Sequence, residues 1–483
     1  MYRDFSSQKS GSRGSNNNFG QRSQFTKTTS GLNWRGSHRW DKSAQGGLPV
    51  ADEAPIGPLV TEMKVEDLKL PPVSASGAKI TDVEVVASYS LVGPKSPTII
   101  VPGNLHRCPL YAFIALTYNP GEPALWTPPA LPVQLKQDQG EFLRDMNGAY
   151  FPDFPMLPTV QSVFALNKSF EPSSVNVVGC ASSLGNLLRA ARSAEASFRF
   201  DVELVGDTLF IVRNAKDEKI PDVRGYGHSF LENFTTYADV FNKTKSHQRI
   251  IKYHFAGLDY LVRFESDGCE SRNDEKALSQ DQRAAMLGPA VKGAVKMDIN
   301  GTIIPQESVL EVKTRSRLRG SIDLSEHLPR LWVRQIRKLV TGYHERGVFA
   351  DVQKIDVGER VQDWEKGSQA ELRKFAAIVN WLVEEVKRAK HASLEVYRRD
   401  TGPLQLREHV GKQRRALPDQ WCDNWAGLSL HQSSGEESSD SENDQGYPTV
   451  RNLKAPGDSS DEADAGVDYT ACDLDCGYCG LCA

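Results

Sequence analysis

Hydrophobic and polar residues alternate along five stretches of this chain, and this period of two is typical of β-strands with one buried face. The stretches are KITDVEVVASYSL from residue 79, PTIIVPG from 97, FRFDVELVGDTLFIVRNA from 198, HQRIIKYHFAGLDYLVRFESDG from 247 and VLEVKTRSRLRG from 309. Turn residues at Gly93-Pro94-Lys95, Gly206-Asp207 and Ala256-Gly257 separate neighbouring strands. They predict three antiparallel hairpins.

Two other stretches have the spacing of helices. SSLGNLLRAARSAEA, residues 182–196, begins with a serine that can cap a helix. GSQAELRKFAAIVNWLVEEVKRA predicts a helix over 368–389, and we interpret its apolar stripe as core packing. The stripe consists of Leu372, Phe375, Ile378, Val379, Leu382, Val383 and Val386. Strands and helices together predict an α+β fold, in which a mixed β-sheet core is flanked by helices.

The two ends of the chain differ in composition from its middle. Residues 1–45 carry eight Lys or Arg against two Asp or Glu, whereas residues 436–475 carry twelve acidic against two basic residues. Such polar, charged segments are typical of disorder. We therefore expect a disordered basic tail at 1–70, a folded domain at 75–415, a disordered acidic Ser-rich linker at 416–470 and a Cys-rich motif at 471–483. The basic tail is either a solvated tail or an arm that tethers RNA.

Other features limit the class of protein. No apolar run reaches the length of about 18 residues that a membrane helix needs, and the N-terminus has no hydrophobic signal region. We expect a soluble intracellular protein, nuclear or cytoplasmic, without a membrane partner. Four thiolates near the end of the chain are a candidate Zn²⁺ site, with a redox-sensitive or unbound tail as the alternative. They belong to Cys472, Cys476, Cys479 and Cys482.

The strongest candidate chemistry lies between residues 258 and 313. Glu265 and Asp267 are two apart in one predicted strand, and Glu311 and Lys313 are two apart in another. Each pair therefore shares one face of its strand. Carboxylates can hold the divalent ions that phosphodiester hydrolysis uses. The alternative interpretation of E-x-K is a solvated cross-strand pair.

These residues predict a division of roles. Asp267 and Glu311 would bind the metal, and Glu265 would be shared with it or support catalysis. Lys313 would be catalytic, by orienting the attacking water or stabilising the charged transition state. Three basic residues that follow directly are candidates for holding an RNA backbone. They are Arg315, Arg317 and Arg319.

A shorter segment, RGYGHSFLENFTT from residue 224, has two interpretations of its own. G-H-S-F-L begins like the nucleophile elbow of serine hydrolases, but Leu231 stands where the elbow needs glycine. Glu232 is a further candidate metal ligand. Its alternative is an exposed glutamate in the first turn of a helix, where the helix dipole favours negative charge.

These motifs resemble those of the Rai/DXO family of RNA decapping enzymes, within the PD-(D/E)xK nuclease superfamily, and the chain resembles a divergent fungal-type member. The matching segments are Gly225-Tyr226 with Phe230 and Glu232, Glu265-Ser266-Asp267, Glu311-Val312-Lys313-Thr314, Trp332 with Gln335, and Gly342-Tyr343-His344. Forty-three residues separate Asp267 from Glu311, more than the family pattern has. The resemblance covers about residues 78–390.

The resemblance implies a nuclease-like fold, dependence on Mg²⁺ or Mn²⁺, and RNA 5′ ends as substrate. It implies decapping or cap quality control, with or without 5′-to-3′ exonuclease action, a nucleotide-binding site, Gln335 as a further RNA-binding residue, and a 5′-to-3′ exoribonuclease as a candidate partner. The alternative function is a non-catalytic RNA- or protein-binding scaffold with a nuclease-like fold. The intact set of carboxylates and lysine favours the enzyme.

Overall fold

Two mixed β-sheets and a two-stranded ribbon make up most of this protein, and helices pack on their faces. The computed structural model describes residues 56–68, 70, 77–93, 96–103, 121–214, 219–220, 223–237, 244–270, 293–389, 393–411 and 413–428. Its strands are β1 Leu59–Met63, β2 Ile80–Val92, β3 Thr98–Val101, β4 Leu125–Trp126, β5 Val133–Gln134, β6 Phe142–Leu143, β7 Val177–Cys180, β8 Phe198–Val205, β9 Thr208–Arg213, β10 Lys219–Ile220, β11 Thr235–Thr236, β12 Thr244–Phe255, β13 Leu258–Glu265, β14 Gly268–Cys269, β15 Lys296–Ile299, β16 Val309–Ser316, β17 Lys338–Glu345, β18 Val348–Asp356, β19 Ser393–Arg398 and β20 Leu404–Arg407.

The described α-helices lie between these strands. They are α1 Met146–Tyr150, α2 Leu157–Leu166, α3 Ala181–Ala191, α4 Gly227–Phe234, α5 Leu324–Arg334, α6 Gly358–Gly367, α7 Gln369–Arg388 and α8 Asp419–Trp425. The expected α+β class, a mixed sheet core flanked by helices, is confirmed.

The larger sheet has eleven strands in the order β1-β20-β19-β8-β9-β7-β13-β12-β2-β3-β15. Each of the three expected hairpins is confirmed, because β2 pairs antiparallel with β3, β8 with β9, and β12 with β13. The β12–β13 turn places Ala256 and Gly257 at φ 52° and 89°, in the left-handed region that favours glycine. The hairpin leads directly into the E-x-D motif.

The smaller sheet has seven strands in the order β11-β4-β14-β16-β17-β18-β5. β16, which carries the E-x-K motif, runs parallel to β17 on one side, with Glu311 opposite Leu339. On its other side it runs antiparallel to the short β14, with Leu310 opposite Gly268. The E-x-D and E-x-K motifs therefore meet at the point where the chain passes from the larger sheet to the smaller one.

Three buried apolar clusters hold the sheets and helices together. The first lies between the larger sheet and helices α3, α5, α6 and α7, and it includes the whole predicted stripe of α7, so the core interpretation of that stripe is confirmed. The second covers the opposite face of the larger sheet, where α2 and α8 pack. The third joins α4 to the smaller sheet through Phe230 and Phe234.

Several expected boundaries are wrong. Residues Leu59–Met63 form a strand that pairs with β20, so the folded part begins well before residue 75 and the expected tail cannot extend to residue 70. At the other end, α8 lies inside the expected linker, with Trp421 and Trp425 buried. The predicted helix over 182–196 is shorter, because Ser193 has φ 57° and ends it.

Other expectations fall on residues that the structure does not describe. These are the N-terminal tail to residue 55, residues 271–292 of the polar insertion, and the chain from 429 onward with its four cysteines. The candidate Zn²⁺ site thus stays a prediction. Among the described helices none is long and apolar enough to cross a membrane. The nuclear or cytoplasmic location also stays a prediction.

Candidate functional site

The candidate site lies where the chain leaves the larger sheet. Glu265 is the last residue of β13, and β14 begins at Gly268 in the smaller sheet. Between them, the Ser266 N–H donates to the carbonyl oxygen of His247 at 2.9 Å, which fixes the crossing segment to β12. Asp267 therefore faces the edge of β16 while Glu265 stays beside β12, where it lies opposite Gln248.

Asp267 is bound to the backbone of β16. Its Oδ2 accepts a hydrogen bond of 2.7 Å from the N–H of Val312. On this edge β14 covers only Val309 and Leu310, so the Asp267 side chain takes over where strand pairing stops. This contact joins the E-x-D and E-x-K motifs directly.

Glu311 and Lys313 share one face of β16, as the spacing of two predicts. The opposite face carries Leu310 and Val312, which pack in the third apolar cluster against α4. Glu311 is 1% exposed. The Lys313 Nζ lies 2.8 Å from Glu311 Oε1 and donates to the Val312 carbonyl oxygen at 3.1 Å. The alternative of a solvated cross-strand pair does not describe Glu311, because it is buried.

Two arginines of α5 complete the cluster. Arg330 and Arg334 are one helical turn apart and reach the same carboxylate. Arg330 Nε lies 3.1 Å from Glu311 Oε1, and Arg334 Nη1 donates to Glu311 Oε2 at 3.0 Å. The guanidinium of Arg334 also lies 5.8 Å from the centre of the Phe264 ring, a cation–π distance. Neither arginine was predicted from the sequence, and their only sequence signal is the spacing of four.

The charges around the cluster shift the pKa values of Glu311 and Asp267 in opposite directions. Burial alone would raise the pKa of Glu311, but Arg330, Lys313 and Arg334 together hold it well below its ordinary range. Burial raises the pKa of Asp267, the charge of Glu311 adds to that effect, and Lys313 opposes it. Two neighbouring carboxyl groups thus have opposite shifts.

Of the three carboxyl groups, Glu265 has the least nearby positive charge to offset the effect of burial on its pKa. Burial raises its pKa to about 7, the hydrogen bond from Ser246 opposes the shift, and the charge of Asp267 adds to it. A carboxyl group with this pKa holds its proton for part of the time near neutral pH. Such a group can accept or donate a proton in that range.

An open cavity of about 570 Å³ adjoins the cluster. Its lining includes Glu265, Asp267, Arg330 and Arg334, but neither Glu311 nor Lys313. The two guanidinium groups of α5 are therefore the part of the Glu311 network that meets the cavity. A ligand in the cavity would contact these cations before it reached the Glu311 carboxylate.

The far side of the cavity is also basic. Arg144 and Arg213 line it, together with Ala181 and Ser182 at the N-terminus of α3. The N-cap of this helix, Cys180, makes no capping hydrogen bond with its side chain. Free N–H groups at a helix N-terminus attract anions. Five arginines against three acidic residues line the cavity as a whole, which favours an anionic ligand.

One of the arginines that line the cavity, Arg263, is held by contacts within the fold. Arg263 is buried and donates to the Pro155 carbonyl oxygen at 3.0 Å, and its Nη2 lies 3.4 Å from Asp145 Oδ2 and 2.9 Å from Cys180 Sγ. It joins β13 to the segment before α2 and to the start of α3. Its charge still contributes to the positive character of the cavity wall.

Glu232 does not join the cluster. It is exposed on α4, and this helix packs its Phe230 and Phe234 against the face of β16 opposite to Glu311. The candidate metal ligand is thus on the far side of the strand from the other carboxylates. Its alternative, an exposed glutamate on the helix, agrees with the structure, although it lies past the first turn.

The serine of the G-H-S-F-L segment has a structural partner. Asp138 accepts hydrogen bonds from the N–H of His228 at 2.9 Å, the N–H of Ser229 at 2.8 Å and the Ser229 hydroxyl at 2.6 Å. These bonds cap the start of α4. Ser229 therefore anchors a helix N-terminus, and the segment is not a nucleophile elbow.

The candidate RNA-binding residues lie at the edge of the site. Arg315 donates from Nε to the Gly320 carbonyl oxygen and from Nη2 to that of Arg319, both at 3.1 Å, and so holds the turn after β16. Arg317 is exposed and lies 3.6 Å from Asp351. Arg319 is exposed in the same turn. These residues extend a basic surface beyond the end of β16.

Gln335 ends helix α5. It adopts a left-handed backbone with φ 53°, and its side-chain amide donates to the Trp332 carbonyl oxygen at 2.5 Å. It is not among the residues that line the cavity. Its expected contact with RNA is not supported by this position.

Comparison with known proteins gives a family. A family model described as a domain of unknown function, DUF8563, matches residues 111–421. The chain belongs to this family. No curated protein matches it significantly in sequence.

The DUF8563 chain is similar to several solved structures. It resembles S. pombe Rai1, with 11% identity, a TM-score of 0.46, and coverage of 72% of this chain and 99% of that one. It resembles Candida albicans Rai1 in complex with pU5-Mn²⁺, with 12% identity, a TM-score of 0.45, and coverage of 75% and 99%. K. lactis Dxo1 in complex with manganese gives 10% identity, a TM-score of 0.39, and coverage of 73% and 97%. These values describe a distant likeness.

The expected Mg²⁺ or Mn²⁺ site does not fit the arrangement in this DUF8563 chain. Both oxygens of Glu311 already contact cationic nitrogens within 3.1 Å, and Asp267 Oδ2 is bound to a backbone N–H. Within the described ranges no group of three His, Cys, Asp or Glu side chains is arranged to hold a metal ion. A metal ion at Glu311 would have to displace a buried guanidinium or ammonium group.

Proposed function

We propose that this protein binds the phosphorylated 5′ end of RNA in the arginine-lined cavity between its two sheets. The observation that carries the proposal is the position of Arg330, Arg334, Arg144 and Arg213 around one open cavity, with the N-terminus of α3 at its wall. Guanidinium groups and helix N-termini are the usual partners of phosphate in proteins.

The basic residues after β16 give the rest of the RNA a place to bind. Arg317 and Arg319 are exposed in the turn that follows Lys313, the lysine bound to Glu311. Contacts with phosphates carry no sequence information, so this surface favours binding without regard to sequence. The E-x-D and E-x-K motifs, which resemble those of enzymes that act on RNA 5′ ends, support RNA as the nucleic acid.

Binding can be tested by fluorescence anisotropy with one RNA sequence carrying either a 5′-monophosphate or a 5′-hydroxyl. We expect the monophosphate to bind at least about tenfold more tightly, because a charge-assisted hydrogen bond contributes about 1.5–3 kcal/mol. The Arg144→Gln/Arg213→Gln variant should lose this preference. Arg388→Gln, which changes an exposed arginine on α7, is the matched control. Equal binding of the two RNAs by the unmodified protein would refute the proposal.

Hydrolysis of the RNA 5′ end is a second candidate function, and the pKa of Glu265 favours it. Because burial raises that pKa to about 7, Glu265 can exchange a proton with a ligand in the cavity near neutral pH. Incubation with 5′-triphosphate, unmethylated-cap and NAD-capped RNAs, in Mn²⁺ and in EDTA, tests this function. Glu265→Gln should release product much more slowly than the unmodified protein. No release by the unmodified protein would leave only the binding function, and equal release by both proteins would show that Glu265 takes no part in hydrolysis.

The metal-dependent form of this hydrolase, with Asp267 and Glu311 as metal ligands and Lys313 as the catalytic lysine, is less well supported by the geometry. Its expected partner, a 5′-to-3′ exoribonuclease, stays a prediction. The non-catalytic RNA-binding alternative agrees best with the contacts of Glu311. Pull-down of the purified chain with a 5′-to-3′ exoribonuclease would test the partner.

A further inference from the structure

We infer that Arg330 and Arg334 take the place of a divalent cation at this carboxylate cluster, so that the cavity binds RNA 5′ phosphate without a metal ion. The inference rests on the proposed function for its ligand. It goes further by assigning to two helix residues the neutralising role that a metal ion has in nuclease sites.

The first support is that three cationic side chains surround Glu311. Each of its oxygens contacts a cationic nitrogen: Lys313 at 2.8 Å and Arg330 at 3.1 Å on Oε1, and Arg334 at 3.0 Å on Oε2. A Mg²⁺ or Mn²⁺ ion lies about 2.1 Å from its oxygen ligands. It cannot approach either oxygen while the guanidinium and ammonium groups hold these positions.

The second support is that the arginines cannot easily move away. The side chain of Arg330 is 10% exposed and that of Arg334 is 8% exposed. Between them on α5, Trp332 is buried in the first cluster and its indole Nε1 donates to Glu365 Oε2 at 2.7 Å. This contact fixes the rotation of the helix, and the cation–π contact with Phe264 fixes the guanidinium of Arg334.

The third support is the balance of charge. Glu265, Asp267 and Glu311 face Lys313, Arg330 and Arg334, so three acidic side chains meet three basic ones. A divalent ion added to this set would give it an excess of positive charge in a buried region, where repulsion is poorly screened. An RNA phosphate in the cavity would instead meet Arg144 and Arg213, which line the same cavity outside this balanced set.

The position of the cavity agrees with this assignment. Arg330 and Arg334 line the cavity, whereas Glu311 and Lys313 do not. Arg330 and Arg334 are therefore the two residues of the Glu311 ion-pair network that a ligand in the cavity would meet.

The inference is tested by titrating Mn²⁺ into the full chain and following free Mn²⁺ by electron paramagnetic resonance. The unmodified protein should show no stoichiometric binding. Arg330→Ala/Arg334→Ala should gain one Mn²⁺ site at least about tenfold tighter, because the carboxylates are then free to act as ligands. Adding Glu311→Gln to that double variant should abolish the gained site.

Arg398→Ala is the matched control for a truncated buried arginine. Its guanidinium donates to the backbone carbonyl oxygens of Ala194, Ala196 and Gly402, so its loss frees no carboxylate ligand. This control should gain no Mn²⁺ site. If the double variant does not fold, the inference is tested by Arg334→Ala alone and by the titration of the unmodified protein.

Stoichiometric Mn²⁺ binding by the unmodified protein would overturn the inference, and so would a folded double variant that gains no site. RNA binding separates this failure from that of the proposed function. We expect the affinity for 5′-monophosphate RNA to be the same in EDTA and in Mn²⁺. Affinity that requires Mn²⁺ would refute the inference and keep RNA binding, whereas the absence of any 5′-phosphate preference would refute the proposed function itself.

Discussion

Glu265→Gln should stabilise this protein above neutral pH. The substitution keeps the size of the side chain and removes its charge. Burial raises the pKa of Glu265 from 4.5 to about 7, so the folded state holds this proton more tightly than the unfolded state does. Between these two pH values the unfolded chain loses the proton first. Stability therefore falls as the pH rises through this window, and the full cost is present above about pH 7.

The size of the effect follows from the shift. One pKa unit corresponds to about 1.4 kcal/mol, so a change from 4.5 to about 7 gives an upper limit of about 3 kcal/mol. Glu265 is only half-buried, and water at the cavity mouth lowers this limit. We expect Glu265→Gln to raise the free energy of unfolding by about 1–3 kcal/mol at pH 8 and to change it little near pH 4.5.

Urea denaturation of both proteins across this pH range, without divalent ions, measures the difference. Glu384→Gln is the control, because its side chain is 59% exposed on α7 and its loss should have no pH-dependent effect of this size. A variant that is no more stable than the unmodified protein at pH 8 would refute the account. So would a gain in stability that is equal at pH 4.5 and pH 8, since burial of a charge would then not be its cause.

Three further substitutions test the packing around the site. Glu311→Gln should lower the free energy of unfolding by about 3–5 kcal/mol in urea, because it leaves three buried cations without their shared counter-charge. Gly342→Ala should cost about 1–3 kcal/mol in the same assay, since a Cβ there would lie 2.4 Å from Phe230 Cε2. Trp425→Ala should lower the melting temperature markedly, with a loss of about 3–5 kcal/mol; an unchanged value would show that α8 is not part of the folded unit.

The strand motifs were predictable from sequence because strands alternate. A spacing of two puts Glu311 and Lys313 on one face of β16 whatever the rest of the chain does. Their burial was not predictable in the same way. It depends on α5, which lies across that face and brings its cations to Glu311.

For Glu232, the helical spacing of its neighbours indicated the correct position, whereas the E-x-D and E-x-K motifs pointed to a wrong one. Phe230 and Phe234 are four residues apart, so they define the buried face of α4. Glu232 lies two residues from each, on the other side of the helix, and is exposed. The E-x-D and E-x-K pairs suggested a fourth carboxylate, but the helical period already placed this one away from β16.

Helix α5 shows what sequence alone does not reveal. Its arginines at 330 and 334 have a spacing that is equally typical of a solvated helix face. Only the three-dimensional structure shows that this face covers a buried glutamate and a cavity. The early strand β1 was missed for a similar reason, because its partner β20 is more than 300 residues away in the chain.

Three of the four motif residues, Asp267, Glu311 and Lys313, have a structural explanation, and this weakens the argument that only an enzyme would keep the motif. Asp267 binds the Val312 N–H at the point where β14 stops covering β16, so its loss would leave a backbone donor without a partner. Glu311 fastens α5 to the smaller sheet through two guanidinium groups, and Lys313 shares that carboxylate. Glu265 is the exception, because its burial costs stability at neutral pH and no described ion pair offsets the cost. Because Glu265 lies at the wall of the cavity and its burial carries this cost, its substitution best separates binding from catalysis.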